Sequence, residues 1–258
     1  SDDGYSRFNN SFRIVFIKQF FSICINISCS QYISVTRILI NIGNDFILVL
    51  DRNFVKQLQK EIQLFSVDLS LETDIQSAFD NFYSHFGKVD ILVNCAGITI
   101  PNSSEDYISD DWIRTININL NAAFFLSKLV GKRMIEQQGG GSIINVTSIG
   151  AEQGFPSNPA YCSSKGGLKQ LTKALAFDWG KYGIRVNNLV PGYTNTPMNE
   201  KSWSDSTLRE LRANSTMLKR WADPEDMVGP SIFLASDASS YVTASDLIVD
   251  GGWTAKGM

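Results

Sequence analysis

Val89-Asp-Ile-Leu-Val-Asn-Cys-Ala-Gly97 is a short apolar run that breaks into small residues. A run of that length and composition reads as a strand buried on both faces, the kind a parallel sheet uses. Two other stretches repeat the design. Gly141-Ser-Ile-Ile-Asn-Val-Thr147 leads into Ser148, and Arg185-Val-Asn-Asn-Leu-Val-Pro-Gly192 ends in a Pro-Gly turn. Around them, strand-like segments at 46–50, 64–67 and 247–249 alternate with helical patterns at 53–62, 71–86, 111–137, 160–182 and 224–235. Strands separated by helices imply right-handed βαβ units. The expected fold class is therefore α/β, a doubly wound parallel sheet with ligands at the carboxyl edge of its strands. No linker, low-complexity tract or repeat divides the 258 residues, so one domain over 1–258 is expected.

Composition narrows the class of partner. With 43% hydrophobic residues the chain can build a sizeable core, and 19% charged residues is not a disordered composition. A net charge of −3 gives no electrostatic reason to expect nucleic acid. Cys24, Cys29, Cys95 and Cys162 form no CxxC pair and His85 is the one histidine, so free thiols, a reducing compartment and no structural metal are expected. The apolar stretch 14–27 is interrupted by Lys18 and Asn26 and falls short of the ~20 residues of a membrane span. These features point to a cytoplasmic protein acting on a small molecule, with no membrane partner.

The chemistry is carried by Asn158-Pro-Ala-Tyr-Cys-Ser-Ser-Lys-Gly-Gly167, in which Tyr161 and Lys165 lie four residues apart on one helix face. An ammonium beside a phenol favours the phenolate and would draw a pKa near ~10 toward neutrality. The same spacing also occurs on ordinary solvated helices. Ser148, at the end of a buried strand, tips the balance toward an acid/base site.

These motifs resemble the short-chain dehydrogenase/reductase family over about residues 46 to 258. Asn94-Cys-Ala-Gly97 stands for the family's Asn-Asn-Ala-Gly turn, Ser148 with Tyr161-Cys-Ser-Ser-Lys165 for its active site, Ile118-Asn-Leu120 for the helix carrying Asn119, and Pro191-Gly192 for the turn after the sixth strand. The resemblance implies a Rossmann-like fold and an NAD(P)-dependent oxidoreductase interconverting a secondary alcohol and a ketone. Its catalytic set would be Asn119, Ser148, Tyr161 and Lys165, with Tyr161 as acid/base. The cofactor would meet Asp51, Asp68 with its neighbour Leu69, Asn94, Ala96, Gly97, Tyr161, Lys165, Pro191, Gly192, Thr194 and Thr196. Asp51, ending the second strand, favours NAD over NADP because a carboxylate there binds ribose hydroxyls and repels a 2′-phosphate; Arg52 beside it pulls the other way, and Asp51 also suits a helix cap. The tail Val249-Asp-Gly-Gly-Trp-Thr-Ala-Lys-Gly257 and the stretch Pro191–Met198 are similar to the branch acting on polyols, gluconate and sugar acids. The resemblance also implies a homo-oligomer, with a tetramer favoured. Residues 196–217 read either as a substrate lid, carrying Pro197, Met198, Trp203 and Met217, or as a surface loop with a short helix.

The amino terminus departs from the pattern. The family's Thr-Gly-x-x-x-Gly-x-Gly turn should fall near 25–32 or 27–34, yet no glycine occupies it, and 5–42 contain no Gly, Ala, Pro or acidic residue. Residues 1–45 thus read as an atypical first βα unit, or as the product of a shifted reading frame, which translating the coding DNA in its other frames would test. Without that turn the nest of backbone N–H groups for a pyrophosphate is lost. Two readings stay open: an active oxidoreductase, and a catalytically impaired or non-catalytic member of the fold with a defective dinucleotide site.

Overall fold

The computed structural model describes residues 37–42, 46–51, 63–65 and 67–256, the strands before residue 67 by their backbone alone. The predicted helix 53–62 and the missing glycine-rich turn lie outside the described residues. Seven strands form one sheet in the order β3-β2-β1-β4-β5-β6-β7. They are β1 Arg37–Ile42, β2 Phe46–Asp51, β3 Gln63–Phe65, β4 Ile91–Asn94, β5 Gly141–Val146, β6 Ile184–Pro191 and β7 Asp246–Val249.

From β1 through β4, β5, β6 and β7 every neighbouring pair is parallel. Four crossovers are built from α1 Glu72–Phe86, α2 Ser109–Ile116 with α3 Ala122–Gln137, α4 Pro159–Trp179 and α7 Val228–Ala235. Two more helices, α5 Glu200–Ser204 and α6 Ser206–Ser215, lie between β6 and β7. The strands bury both faces by simple alternation. Leu92 and Ile143 pack in one cluster with Phe79, Phe82, Leu126 and Leu175 of the helices, while Ile91, Val93 and Ile144 pack in the other with Met227 and Leu234. Two cores on opposite faces are what a doubly wound sheet requires.

One edge corrects the all-parallel expectation. β1 pairs antiparallel with β2, and β2 antiparallel with β3. Three residues, 43–45, separate β1 from β2, whereas a parallel crossover needs a dozen or more. The strand Arg37–Ile42 lies within 1–45, the stretch expected to form an atypical first βα unit.

The predicted helix 111–137 is interrupted. Asn117–Asn121 forms a π-turn between α2 and α3, closed by the Ala122 N–H on the Asn117 carbonyl. Such insertions concentrate at functional sites. No helix among the described residues is long and apolar enough to cross a membrane.

Candidate active site

The carboxyl ends of β4, β5 and β6 deliver their following residues to one rim. Ser148 leaves β5 in an extended conformation, is 8% exposed, and accepts the Gly150 N–H at 3.0 Å. Pro159, with φ preset for a first helical turn, starts α4. That start sets Tyr161 and Lys165 in its first two turns. Lys165 is 3% exposed and donates to the Val146 carbonyl at 2.7 Å, with Nζ 5.9 Å from the centre of the Tyr161 ring. Burial lowers the Lys165 pKa to about 8, opposed by the Cys95 thiol.

The expected direction for Tyr161 is reversed. Loss of solvent raises its pKa above the ordinary phenol value; a hydrogen bond with Ser148 opposes, and Cys162, Tyr193 and Cys95 add to the rise. Burial brings the Lys165 pKa down to about 8, so the amine has given up its charge before the phenol titrates. Desolvation therefore wins over charge. Cys95, beside Lys165, is likewise pushed up to about 11 by burial.

Asn119 lies in the π-turn, 1% exposed. Its Oδ1 accepts the Ile98 N–H at 2.8 Å, and its Nδ2 donates to the Ile98 carbonyl and to Ser164 Oγ at 2.9 and 3.0 Å. The side chain thereby clamps the segment after β4 to α4. A Cβ on Gly97 would stand 3.4 Å from Lys165 Nζ and 3.5 Å from Asn119 Oδ1, so a larger residue would fill the space over the ammonium.

Asn94 is placed otherwise than a cofactor ligand. Its side chain enters the sheet, donating to Asn145 Oδ1 at 2.8 Å and Ser127 Oγ at 3.0 Å. Asn145 donates to Thr172 Oγ1 at 2.8 Å, Thr172 to Asn188 Oδ1 at 2.6 Å, and Asn188 to Asp246 at 2.7 Å. The four strand residues share one register row across β4–β7. Asn94 Oδ1 is buried with no hydrogen-bond partner among the described residues. Leu69 is likewise core, 2% exposed.

Asp68 is exposed and holds Ser70 through its backbone N–H and hydroxyl. These bonds, with help from the Arg114 charge, keep its carboxyl below the usual value. It lines a cavity of about 590 Å³ with Ser70, Asp110, Arg114, Asn117 and Ile118. At the other end of the rim, a Cβ on Gly192 would strike Asp250 Cα at 2.7 Å, so the Pro191-Gly192 turn must be bare. Thr194 is 7% exposed and bonds back to the Gly192 carbonyl at 3.1 Å; Thr196 is half-buried. The side chain of Asp51 lies outside the described residues.

Fit to a nicotinamide dinucleotide differs between the two halves. Lys165 has one hydrogen-bond partner among the described residues, leaving two N–H donors for a ribose diol beneath the space that Gly97 keeps clear. The pyrophosphate half of such a site is a strand–turn–helix after the first strand. Here the hairpin β1–β2 takes that place.

Over the rim sits an aromatic roof that the sequence reading missed, apart from Trp203. Tyr193 packs on Phe155, Trp221 and Trp253 with ring centres 6.1, 5.4 and 4.9 Å apart, and Trp203 packs on Trp221 at 5.4 Å. Trp253 Nε1 donates to Gln153 Oε1 at 3.0 Å. Residues 196–217 form a short 3₁₀ turn and then α5 and α6, and Asp205 caps α6 by accepting the N–H groups of Thr207 and Leu208. The segment is anchored at its end, where the Met217 and Leu218 N–H groups donate to the Gly251 carbonyl. A dense set of aromatic residues after β6 was the available signal.

Comparison with known proteins agrees with this architecture. A family model described as Enoyl-(Acyl carrier protein) reductase matches residues 41–254. D-threitol dehydrogenase of Mycolicibacterium smegmatis is 37% identical over 192 residues, 74% of this chain and 73% of that protein. The 2-dehydro-3-deoxy-D-gluconate 5-dehydrogenase of Pseudoalteromonas atlantica is 36% identical, over 79% of this chain and 80% of its own length. Among solved structures, a gluconate 5-dehydrogenase from Burkholderia cenocepacia, in complex with NADP and tartrate, superposes with a TM-score of 0.71 at 34% identity, covering 73% of this chain and 74% of that one. With Ser148, Tyr161 and Lys165 gathered at the rim of a doubly wound sheet, the chain belongs to the short-chain dehydrogenase/reductase family of NAD(P)-dependent oxidoreductases, in its gluconate-dehydrogenase-like branch.

Proposed function

We propose that the protein interconverts a secondary alcohol and a ketone on a polyol, sugar or sugar acid, with Tyr161 as the acid/base. The observation that carries this reading is the convergence at Gly150 of Ser148, which accepts its N–H, and the Tyr161 ring, with the buried Lys165 ammonium 5.9 Å from the centre of that ring. Bound NAD(P) supplies the hydride donor or acceptor. In reduction, the Tyr161 phenol gives its proton to the oxygen that gains charge, while Ser148 donates a hydrogen bond to the same oxygen. A raised pKa keeps that phenol proton-loaded at neutral pH, so the unliganded site is set for proton donation. Lys165 would hold the nicotinamide ribose with its two remaining N–H donors, and Asn119 fixes the segment after β4 that borders the ammonium.

The remaining rim residues, Asp68, Ala96, Gly97, Pro191, Gly192, Thr194 and Thr196, with the main chain at Leu69 and Asn94, form the cofactor trough in this reading. Preference for NAD rests on Asp51 alone; bound NADP in a similar structure belongs to that protein. Residues 196–217 act as the substrate lid, in keeping with a segment pinned at its far end.

Titrating NADH while following nicotinamide fluorescence tests the reading. Saturation at micromolar concentration is expected. A second reading, a non-catalytic member of the fold, is favoured by the β1–β2 hairpin, and absence of binding up to millimolar NADH would decide for it.

A homo-oligomer, tetrameric by resemblance, is proposed through α3, α4 and the edge strand β7. Phe124 on α3, Phe177 on α4 and Ile248 on β7 are 39%, 88% and 44% exposed, apolar area that a second copy would cover. Light scattering should give a multiple of 28.7 kDa; a monomer at micromolar concentration removes this assembly.

A further inference from the structure

We infer that Arg212 is the anchor for a substrate carboxylate and that it selects sugar acids over neutral polyols; the inference rests on the oxidoreductase reading for the identity of the site, not for the binding itself. Arg212 projects from α6 onto the aromatic roof, its guanidinium carbon 4.4 Å from the Tyr193 ring centre and 5.8 Å from that of Trp221. Its Nη1 is buried with no hydrogen-bond partner. The ring contacts hold the cation in place but accept none of its N–H groups in the ordinary sense. A desolvated donor without an acceptor costs free energy comparable to a lost hydrogen bond, so its persistence calls for an acceptor from outside.

The carboxylates of this segment and of the strand end it is pinned to are already engaged. Asp226 takes Arg220 in a two-pronged pair at 2.6 and 2.8 Å, Asp205 caps α6, and Asp250 accepts from Gly252 and Thr254. No acidic side chain among the described residues forms an ion pair with Arg212. A planar guanidinium with unused donors matches a carboxylate in geometry as well as charge.

A run of packed rings ties the anchor to the reacting centre. Tyr193 stacks on Phe155, and Phe155 and Tyr161 both come within 3.2 Å of the point where a Gly150 Cβ would stand. Arg212 is thus connected to the Tyr161 side of the site through the packed Tyr193 and Phe155 rings. The fitting ligand is a polyhydroxy acid whose carboxylate lies at the end of the chain away from the carbinol. A neutral polyol of the same length would leave the guanidinium N–H unpaired, the kind of mismatch that such a site penalises strongly.

Calorimetric titration of the full chain with D-gluconate and with D-glucitol tests this, using the wild type, Arg212→Gln and Arg212→Lys. The wild type should bind gluconate more tightly than glucitol. Arg212→Gln should weaken gluconate about 10- to 100-fold, the loss of a charge-assisted hydrogen bond, and change glucitol less than about twofold. Arg212→Lys, which keeps the charge without the fork, should recover part of the gluconate affinity. Equal binding of gluconate by the wild type and Arg212→Gln, or parallel losses for both ligands in both variants, overturns the inference. Gluconate binding that depends on Arg212 in a protein with no turnover would sink the oxidoreductase reading and leave the anchor standing; turnover indifferent to Arg212 would do the reverse.

Discussion

Replacing Tyr161 by phenylalanine should lower kcat by about 10²- to 10⁴-fold, the range supplied by one positioned acid/base group. That corresponds to about 3–5 kcal/mol of barrier. The ring stays, so its packing beside Gly150 and Phe155 is kept and the fold should be little affected. Lys165 keeps its bond to the Val146 carbonyl, so NADH affinity should change by less than about threefold, under ~1 kcal/mol. Stopped-flow turnover with NADH titration on the same sample separates the two effects. Unchanged turnover would take Tyr161 out of the mechanism, whatever the binding result.

Asn145→Ala should be the most damaging substitution for stability. Asn145 is 0% exposed and links Asn94 on one side to Thr172 on the other. Removing its amide deletes two hydrogen bonds in a buried row, leaves the Thr172 hydroxyl short of a donor, and opens a small cavity. The expected loss is about 2–4 kcal/mol, or roughly 5–15 °C in Tm for a domain of this size. Lys128→Ala, which breaks the Lys128–Glu72 pair at 2.8 Å with both side chains about half exposed, should cost under about 1 kcal/mol. Thermal melts of the two variants provide the comparison; similar shifts would mean that the buried row contributes no more than a surface ion pair.

The sheet centre and its helices were legible because their signals are local. Strands β4, β5 and β6 each show a β-branched run cut off by small or hydroxyl residues, and α1 repeats Ile75, Ala78, Phe79 and Phe82 at helical spacing. Direction at the sheet edge was not legible, since an apolar run looks the same whichever way it points; only the three-residue separation at 43–45 distinguishes hairpin from crossover. The π-turn at Asn117–Asn121 escaped for a related reason, because one extra residue per turn barely disturbs a helical pattern.

Within the site, the Tyr161–Lys165 spacing correctly placed both groups on one helix face, but not the direction of the phenol's pKa. That direction depends on how far Tyr161 is removed from water, and residues distant in the chain, such as Tyr193 and Cys95, contribute to it. The amide row was hidden in the same way: Asn94, Asn145, Asn188 and Asp246 become neighbours only once the register is known. Arg212 and the rings at 155, 193, 221 and 253 come together across some hundred positions of chain, beyond the reach of periodicity.

Of the five tryptophans, three, at 203, 221 and 253, belong to the roof above the rim. Indole emission responds to the polarity around it, so the molecule carries a built-in optical reporter of occupancy. A guest that enters beneath those rings changes the colour and yield of the protein's own fluorescence, and unlabelled compounds can be screened in plain buffer before any reaction has been assigned.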